Sequence, residues 1–575
     1  MSAPPSRALF AARCLVGELA RAGLREACLA PGSRSTPLAL ALAESAAIRT
    51  RVFTDERSLA FFALGVAKAA SAPVAIVCTS GTAAANLLPA VVEASLGAAA
   101  LLVLTADRPP ELRDCSAPQT IDQVGIYGSH VRWAFDVPIL DIGEPAERYY
   151  RALAMRALAA ACAHNSGPVH LNLPFREPFW DDSFTGDPRA AVTRAAAAAT
   201  DQRPADAAGR SSAGASAETP AQAAQGFAGV SCSPSRLDER EARALAERIA
   251  GAQRGLIVCA GQPLPAGDIA ALAAALDWPI LADPLSGLRY GGHDRSLVVD
   301  AYDVLLRDET FCSGHRPDVI VRFGSTPAPR SLQMFLTQSW PCDHLLVAPS
   351  GWPDPFHACS GIVRSEPGRL CRDLTATLAR TATRSDWTAC WLRASRAARS
   401  ALDASLDAVV ESAGETFEGA VVRAVARVTA DAGGERPALF VGNSMPIRDV
   451  DAFFGQSERP LSVLANRGAS GIDGVLSTAL GVAATREQPT VLVLGDLSFL
   501  HDVTALAVAA RLRIPLVTVV INNNGGGIFS FLAQQGLEAV FEPLFATPHD
   551  VDLAATAAAL LPGGYELAAD TVQLA

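Results

Sequence analysis

Short apolar runs at 28–30, 74–78, 100–105 and 169–173 alternate along the first third of the chain with longer Ala/Leu-rich segments whose apolar positions recur at helical spacing. Runs of that length read as strands buried on both faces, and the segments between them read as helices, which predicts parallel strands joined by helical crossovers. The same alternation returns at 255–259, 319–323 and 344–348, and again at 438–441, 461–464 and 491–494. The pattern therefore predicts an α/β protein of three doubly wound parallel-sheet domains. One stretch breaks it. Residues 183–236 are Ala, Ser, Gly, Gln and Pro with few large apolar side chains, too little to offset the entropy of folding, so they read as a disordered linker without catalytic residues. The expected domains are 1–182, 237–400 and 401–575.

Composition narrows the class without revealing the chemistry. Half of the 575 residues are hydrophobic and mean hydropathy is +0.22, yet the excess is largely Ala. No apolar stretch reaches the roughly 18 residues of a membrane span, so none is expected. The opening residues, Met1-Ser2-Ala3-Pro4-Pro5-Ser6-Arg7, lack the charged-then-apolar layout of a secretory signal. A net charge of −11 with scattered basic residues argues against a nucleic-acid surface. The 12 cysteines form no Cys-x-x-Cys pair, which fits reduced thiols in a cytoplasmic protein. No Gly-x-Gly-x-x-Gly follows a strand, which weighs against a nicotinamide or flavin enzyme.

The third domain holds the most informative spacing. The strand at 491–494 ends in Gly495-Asp496, and a strand at 516–521 ends in Asn522-Asn523-Asn524-Gly525-Gly526-Gly527. Between them 502–513 reads as a helix closed by Pro515, so the two strands are parallel and lift Asp496 and Asn523 to one carboxyl edge. Taken singly, each half is ordinary turn chemistry. Together they offer hard oxygen donors of the kind Mg2+ takes, with glycines that let the backbone approach a phosphate. In the first domain a strand at 51–53 enters Thr54-Asp55-Glu56-Arg57-Ser58 and then an amphipathic helix at 59–70, which sets Glu56 at another strand-to-helix turn.

The Asp496 and Asn523 pairing resembles the metal-diphosphate signature of thiamine-diphosphate enzymes. That resemblance implies Asp496, Asn523 and the Gly525 carbonyl as ligands of Mg2+ (or Mn2+). It also implies Glu56 as the carboxyl group that bonds the aminopyrimidine ring and shifts it to its imino tautomer, so that its nitrogen can take the thiazolium proton. In that superfamily the Glu and the diphosphate motif come from different subunits, which implies a homodimer or homotetramer. Further strings narrow the likeness: Pro31-Gly32-Ser33-Arg34-Ser35-Thr36-Pro37, Thr79-Ser80-Gly81-Thr82, Thr105-Ala106-Asp107-Arg108-Pro109-Pro110, Gly442-Asn443-Ser444-Met445-Pro446-Ile447-Arg448 and Asn466-Arg467-Gly468-Ala469-Ser470-Gly471-Ile472-Asp473-Gly474. They resemble the 2-succinyl-5-enolpyruvyl-6-hydroxy-3-cyclohexene-1-carboxylate synthase family of menaquinone or phylloquinone biosynthesis. The implied reaction is decarboxylation of 2-oxoglutarate and 1,4-addition of the succinyl unit to isochorismate.

By the same resemblance Ser33, Arg34, Gln119, Arg448 and Arg467 act with Glu56 in catalysis. Arg34, Arg108, Gln119, Arg330, Ser444, Arg448, Arg467 and Phe529 would bind substrate, and Ile472 and Ile528 would support the cofactor. Each substrate carries two carboxylates, and arginine holds such groups with a bidentate fork. Ile528, Phe529 and Leu532 read equally well as an apolar wall or as core. Two departures stand out. The stretch Gly324-Ser325-Thr326-Pro327-Ala328-Pro329-Arg330-Ser331 offers only Arg330 where the family presents a Lys. After the helix expected near 571–575 the family continues through another strand, so a weakened last domain is expected. The alternatives are an acetolactate-synthase-type carboligase or decarboxylase, and a catalytically silent subunit of the same fold.

Overall fold

A computed structural model describes residues 5–184, 236–339, 341–378, 385–411 and 417–561. The expected linker lies almost wholly outside the described residues, as does the helix expected at 571–575.

Three sheets organise the chain, and every strand pairing within them is parallel. The first contains β1 (Glu26–Leu29), β2 (Arg49–Val52), β3 (Val74–Cys78), β4 (Leu101–Asp107), β5 (Trp133–Asp136) and β6 (Val169–Pro174), in the order β2-β1-β3-β4-β6-β5. The second contains β7 (Gly255–Ala260), β8 (Ile280–Ala282), β9 (Val298–Val299), β10 (Val319–Gly324), β11 (Asp343–Val347) and β12 (Gly361–Val363), in the order β12-β11-β10-β7-β8-β9. The third contains β13 (Ala438–Val441), β14 (Ser462–Leu464), β15 (Thr490–Gly495) and β16 (Val517–Ile521), in the order β14-β13-β15-β16. The inner strands β3, β4, β6, β7, β10 and β13 are buried at every position, as parallel strands covered by helices on both faces are.

Two local expectations are revised. The helix expected across 502–513 is shorter, Ala505–Leu512, and an additional short helix, Asp496–His501, precedes it from the end of β15. The break between the two has a cause in Asp502. It is fully buried, and its carboxylate accepts the Ser477 backbone N–H at 2.6 Å and the Ser477 hydroxyl at 2.9 Å. Glu56 lies not in a turn but at the first position of helix Glu56–Ala70, which Asp55 caps by accepting the Arg57 and Ser58 N–H groups at 2.9 and 3.2 Å.

The sheets are locked to one another through buried contacts. Helix Glu56–Ala70 crosses helix Val475–Ala483, and Phe61, Phe62 and Val66 share one core with Leu476 and Leu480. At the crossing a Cβ added to Gly65 would overlap the Thr478 carbonyl oxygen, and one added to Gly481 would overlap that of Phe62. Between the second and third sheets stands Arg289, which is fully buried. It donates to the Ala282, Asp451 and Phe454 carbonyls at 2.6, 2.8 and 3.2 Å and pairs with the Asp451 carboxylate. Tyr302 donates to that same carboxylate at 2.9 Å. Among the described residues no helix is long and apolar enough to cross a membrane.

Candidate active site

The β15–β16 edge forms as its spacing predicts. Gly495 pairs with Ile521, so Asp496 and the loop at 522–527 leave the sheet side by side. Asp496 is 2% exposed. Its Oδ1 accepts the Leu497 N–H at 2.7 Å, and its Oδ2 accepts the Gly525 N–H at 2.8 Å and faces His549 Nε2 at 3.2 Å. Asn523 lies on the exposed side of the loop and donates through Nδ2 to Glu418 Oε1 at 2.9 Å. Gly525 has φ +140° and its carbonyl accepts the Gly527 N–H at 3.0 Å. Ser498 ties the edge to the neighbouring loop by donating to the Ile472 carbonyl at 2.8 Å. Phe529 packs against Phe545, their ring centroids 5.8 Å apart, with Ile528 half-buried beside it and Leu532 exposed.

The donor set suits thiamine diphosphate with a divalent metal. A buried carboxylate, an amide side chain and a loop carbonyl are all oxygen donors on one sheet edge, and Gly495 leaves open space where a Cβ would sit. No cluster of three or more His, Cys, Asp or Glu side chains able to hold a metal occurs among the described residues.

Beside it stand two arginines. Asn443 Nδ2 donates to the Asn466 and Gly471 carbonyls at 2.8 and 2.7 Å, and its Oδ1 accepts from Arg467 Nη1 at 2.8 Å. Arg448 donates to the Ser444 carbonyl. Burial first, and then the charge of Arg448, push the Arg467 guanidinium below its ordinary value. Burial also lowers Arg448.

A second pair stands at the carboxyl edge of the first sheet. Arg34 donates to the Phe175 carbonyl at 2.8 Å and lies 4.8 Å over the Phe179 ring. Burial, then the charge of Arg108, lowers it too. Arg108 donates to the Ser80 hydroxyl and to the Gln119 carbonyl at 3.2 Å. The exposed Ser33 neighbours Arg34 in the chain, and Gln119 is likewise exposed. Beneath them runs a buried polar chain in which Gln123 donates to Asn172 at 2.8 Å and Asn172 to Asp107 at 2.8 Å. Glu56 is half-buried, and its charge adds to the burial that raises the Cys78 thiol at the end of β3.

The predicted residues thus form two groups: Ser33, Arg34, Arg108 and Gln119 on the first sheet, and Ser444, Arg448, Arg467, Ile472, Asp496, Asn523, Gly525, Ile528 and Phe529 on the third. Among the described residues no hydrogen bond or ion pair joins the groups within one chain. Arg330 joins neither; it is exposed at the start of helix Arg330–Gln338. Sequence reasoning missed His549 and Glu418, which face the Asp496 and Asn523 side chains. It also missed Asn443 as a support, although the quoted motif contains it.

Parallel sheets bearing a buried Gly-Asp carboxylate beside an Asn-Gly loop define a thiamine-diphosphate enzyme. Residues 10–126 match the thiamine pyrophosphate enzyme N-terminal TPP binding domain, and residues 449–573 match the corresponding C-terminal TPP binding domain. Three similar proteins carry the name 2-succinyl-5-enolpyruvyl-6-hydroxy-3-cyclohexene-1-carboxylate synthase. The one from Geobacillus kaustophilus is 45% identical over 94% of this chain and 88% of the relative. The one from Chloroflexus aurantiacus is 42% identical over 96% and 88%, and the one from Haloarcula marismortui is 41% identical over 97% and 90%. The chain belongs to the 2-succinyl-5-enolpyruvyl-6-hydroxy-3-cyclohexene-1-carboxylate synthase family.

Proposed function

We propose that this protein decarboxylates 2-oxoglutarate and adds the succinyl unit in 1,4 fashion to isochorismate, giving 2-succinyl-5-enolpyruvyl-6-hydroxy-3-cyclohexene-1-carboxylate for menaquinone or phylloquinone synthesis in the cytoplasm. One observation carries the reading. Arg34, Arg108, Arg448 and Arg467 stand at sheet edges in two adjacent pairs, and among the described residues none forms an ion pair with a carboxylate. Two substrates bearing four carboxylates between them, one lost as CO2, call for that many free guanidinium forks.

Bound thiamine diphosphate would supply the carbanion that attacks the keto carbon. Asp496, Asn523 and the Gly525 carbonyl would hold its Mg2+ or Mn2+, with His549 turning away from Asp496. Glu56 would hold a proton at the pyrimidine nitrogen, and Ile472 and Ile528 would support the rings. The arginine pairs would bind and orient the substrate anions, with Ser33, Gln119 and Ser444 as neutral partners and Phe529 as an apolar wall. Arg330 is assigned to the substrate mouth on its charge alone. A homodimer or homotetramer is assigned on the family resemblance, in which the Glu and the diphosphate motif come from different subunits.

The test is to mix the protein with thiamine diphosphate, Mg2+, 2-oxoglutarate and isochorismate and to follow the adduct by mass. An adduct that vanishes in Glu56→Gln is expected. Release of CO2 without adduct would move the reading to a decarboxylase, and cofactor binding without turnover to a silent subunit.

A further inference from the structure

Of the 48 lysines and arginines in the sequence, Lys68 is the single lysine. A chain that meets every other need for a basic side chain with arginine keeps an ammonium here, in the last turn of helix Glu56–Ala70. Its side chain is 15% exposed and that of Glu93 is 4% exposed. The three N–H bonds of Lys68 have three acceptors: Asn466 Oδ1 at 2.8 Å, the Ala465 carbonyl at 3.0 Å and Glu93 Oε1 at 3.2 Å. A compact ammonium directs three donors outward in a cone, whereas a planar guanidinium would bring five donors and more bulk. The chemistry of the site therefore selects lysine.

The acceptors are not scattered. Ala465 and Asn466 belong to the third-sheet loop that carries Arg467, while Lys68 and Glu93 belong to the first. Glu93 grips the same loop from the other side, its Oε1 accepting the Gly468 N–H at 2.9 Å and its Oε2 the Ala469 N–H at 2.6 Å. The residues before and after Arg467 are therefore both tied to the Lys68–Glu93 pair. A bonded path also runs onward, because the Asn466 carbonyl accepts from Asn443, whose Oδ1 holds Arg467. Asn466 Nδ2 closes the frame by donating to Thr478 Oγ1 at 2.9 Å. Gly468 lies so near helix Leu88–Leu96 that a Cβ there would stand 2.6 Å from the Glu93 carbonyl oxygen, so the loop cannot lift away without breaking these ties.

We propose that Lys68 and Glu93 are positioning residues that fix the Arg467 loop from the first sheet, so that the Arg467 guanidinium is held for a substrate carboxylate. This rests on the reading of Arg467 as an anion binder given above. Burial lowers the Lys68 ammonium while Glu93 opposes that shift. Removal of Lys68 alone leaves Glu93 buried without its counter-charge, and the double variant Lys68→Met/Glu93→Gln guards against simple misfolding.

The experiment measures kcat and the KM of each acidic substrate in Lys68→Met, Lys68→Met/Glu93→Gln, Arg467→Gln and the combination of Arg467→Gln with Lys68→Met, together with cofactor affinity. Arg467→Gln is expected to raise one KM about tenfold, the order of one lost charge-assisted hydrogen bond. Lys68→Met and the double variant should raise that same KM comparably at unchanged cofactor affinity, and Lys68→Arg should not restore it. The combination should be no worse than its worse single change, because both act through one group. Additive effects, or a KM unmoved in Lys68→Met while Arg467→Gln raises it, overturn the positioning role and leave the proposed function standing. A KM unmoved in Arg467→Gln overturns Arg467 as an anion binder and, with it, the positioning role. A readout free of turnover follows from the sole lysine. A lysine-specific protease has one bond to cut in the chain, and Asn466→Ala should speed that cut about tenfold, the order of one lost hydrogen bond to a charged group; equal rates in the two proteins refute the tie.

Discussion

The crossing of helix Glu56–Ala70 with helix Val475–Ala483 makes Gly65→Ala a sharp test, because two effects of opposite sign meet at one methyl group. In a helix open to solvent, Ala is favoured over Gly by about 1 kcal/mol, so the variant would be more stable. Here the new Cβ would overlap the Thr478 carbonyl oxygen, stand 2.9 Å from the Thr478 carbonyl carbon and 3.0 Å from the Gly481 Cα. All three are backbone atoms, which cannot rotate aside as a side-chain tip can. Relief requires the helices to part by about 1 Å, and overpacking of that kind costs about 1–3 kcal/mol. The upper end applies, since the parted surfaces include Phe61, Phe62 and Leu480 of a shared core, leaving a net loss of about 2 kcal/mol. Function falls further. Helix Glu56–Ala70 begins at Glu56, and helix Val475–Ala483 begins just after Ile472, so the same shift moves residues proposed for the cofactor site. A misplacement of about 1 Å costs about a hundredfold in rate. The assay is a urea midpoint by circular dichroism, paired with kcat at a temperature where the variant is folded. A midpoint raised above that of the unaltered protein would refute the reasoning, since it would mean that the helix gain met no clash.

Other outcomes follow from the site. Asp449 is 4% exposed, and burial, then the charge of Glu418, raise its carboxyl to about 7 against the opposing charge of Arg448. A folded value above the unfolded one means stability that is present at low pH and lost as pH rises from about 4 through about 7. Asp449→Asn should therefore raise the unfolding free energy from urea titration at pH 8 by at most about 4 kcal/mol and leave it unchanged at pH 4; equal gains at both values would refute the sign. Stripping divalent metal with a chelator should abolish both turnover and cofactor retention, and added Mg2+ or Mn2+ should restore them. Full turnover after exhaustive chelation would remove Asp496, Asn523 and Gly525 from the ligand role.

What the sequence reveals depends on how local each feature is. The β15–β16 edge is legible because its two motifs end adjacent strands, and parallel pairing follows from the crossover between them. Strands β8, β9 and β12 are too short to leave an apolar run, and β5, Trp133–Asp136, mixes an acid into four residues. The short helix Asp496–His501 is invisible beforehand, since Asp502, which ends it, is held by Ser477, on a different helix. Lys68 and Glu93 fail for the same reason. Each sits on an Ala-rich helix where a charged side chain reads as a solvated face, and each is buried because a loop of the third sheet covers that face.

The four site arginines are supported in one consistent manner. Arg34 is held by a carbonyl and an aromatic ring, Arg108 by a hydroxyl and a carbonyl, Arg448 by a carbonyl, and Arg467 by an amide oxygen. A carboxylate would hold a guanidinium more strongly, as Asp451 holds the buried Arg289, but it would also neutralise the charge. Neutral acceptors fix direction and leave the charge free. The cost is visible in the direction of the shifts, because Arg34 and Arg467 are each lowered by burial and by a neighbouring arginine. That unfavourable term would be relieved by an entering anion, so the proposed arrangement would bind dianions more tightly than the same arginines already paired. The Lys68–Glu93 pair complements this strategy: being an ion pair, it carries the mechanical load at Arg467 without competing for the substrate's carboxylates.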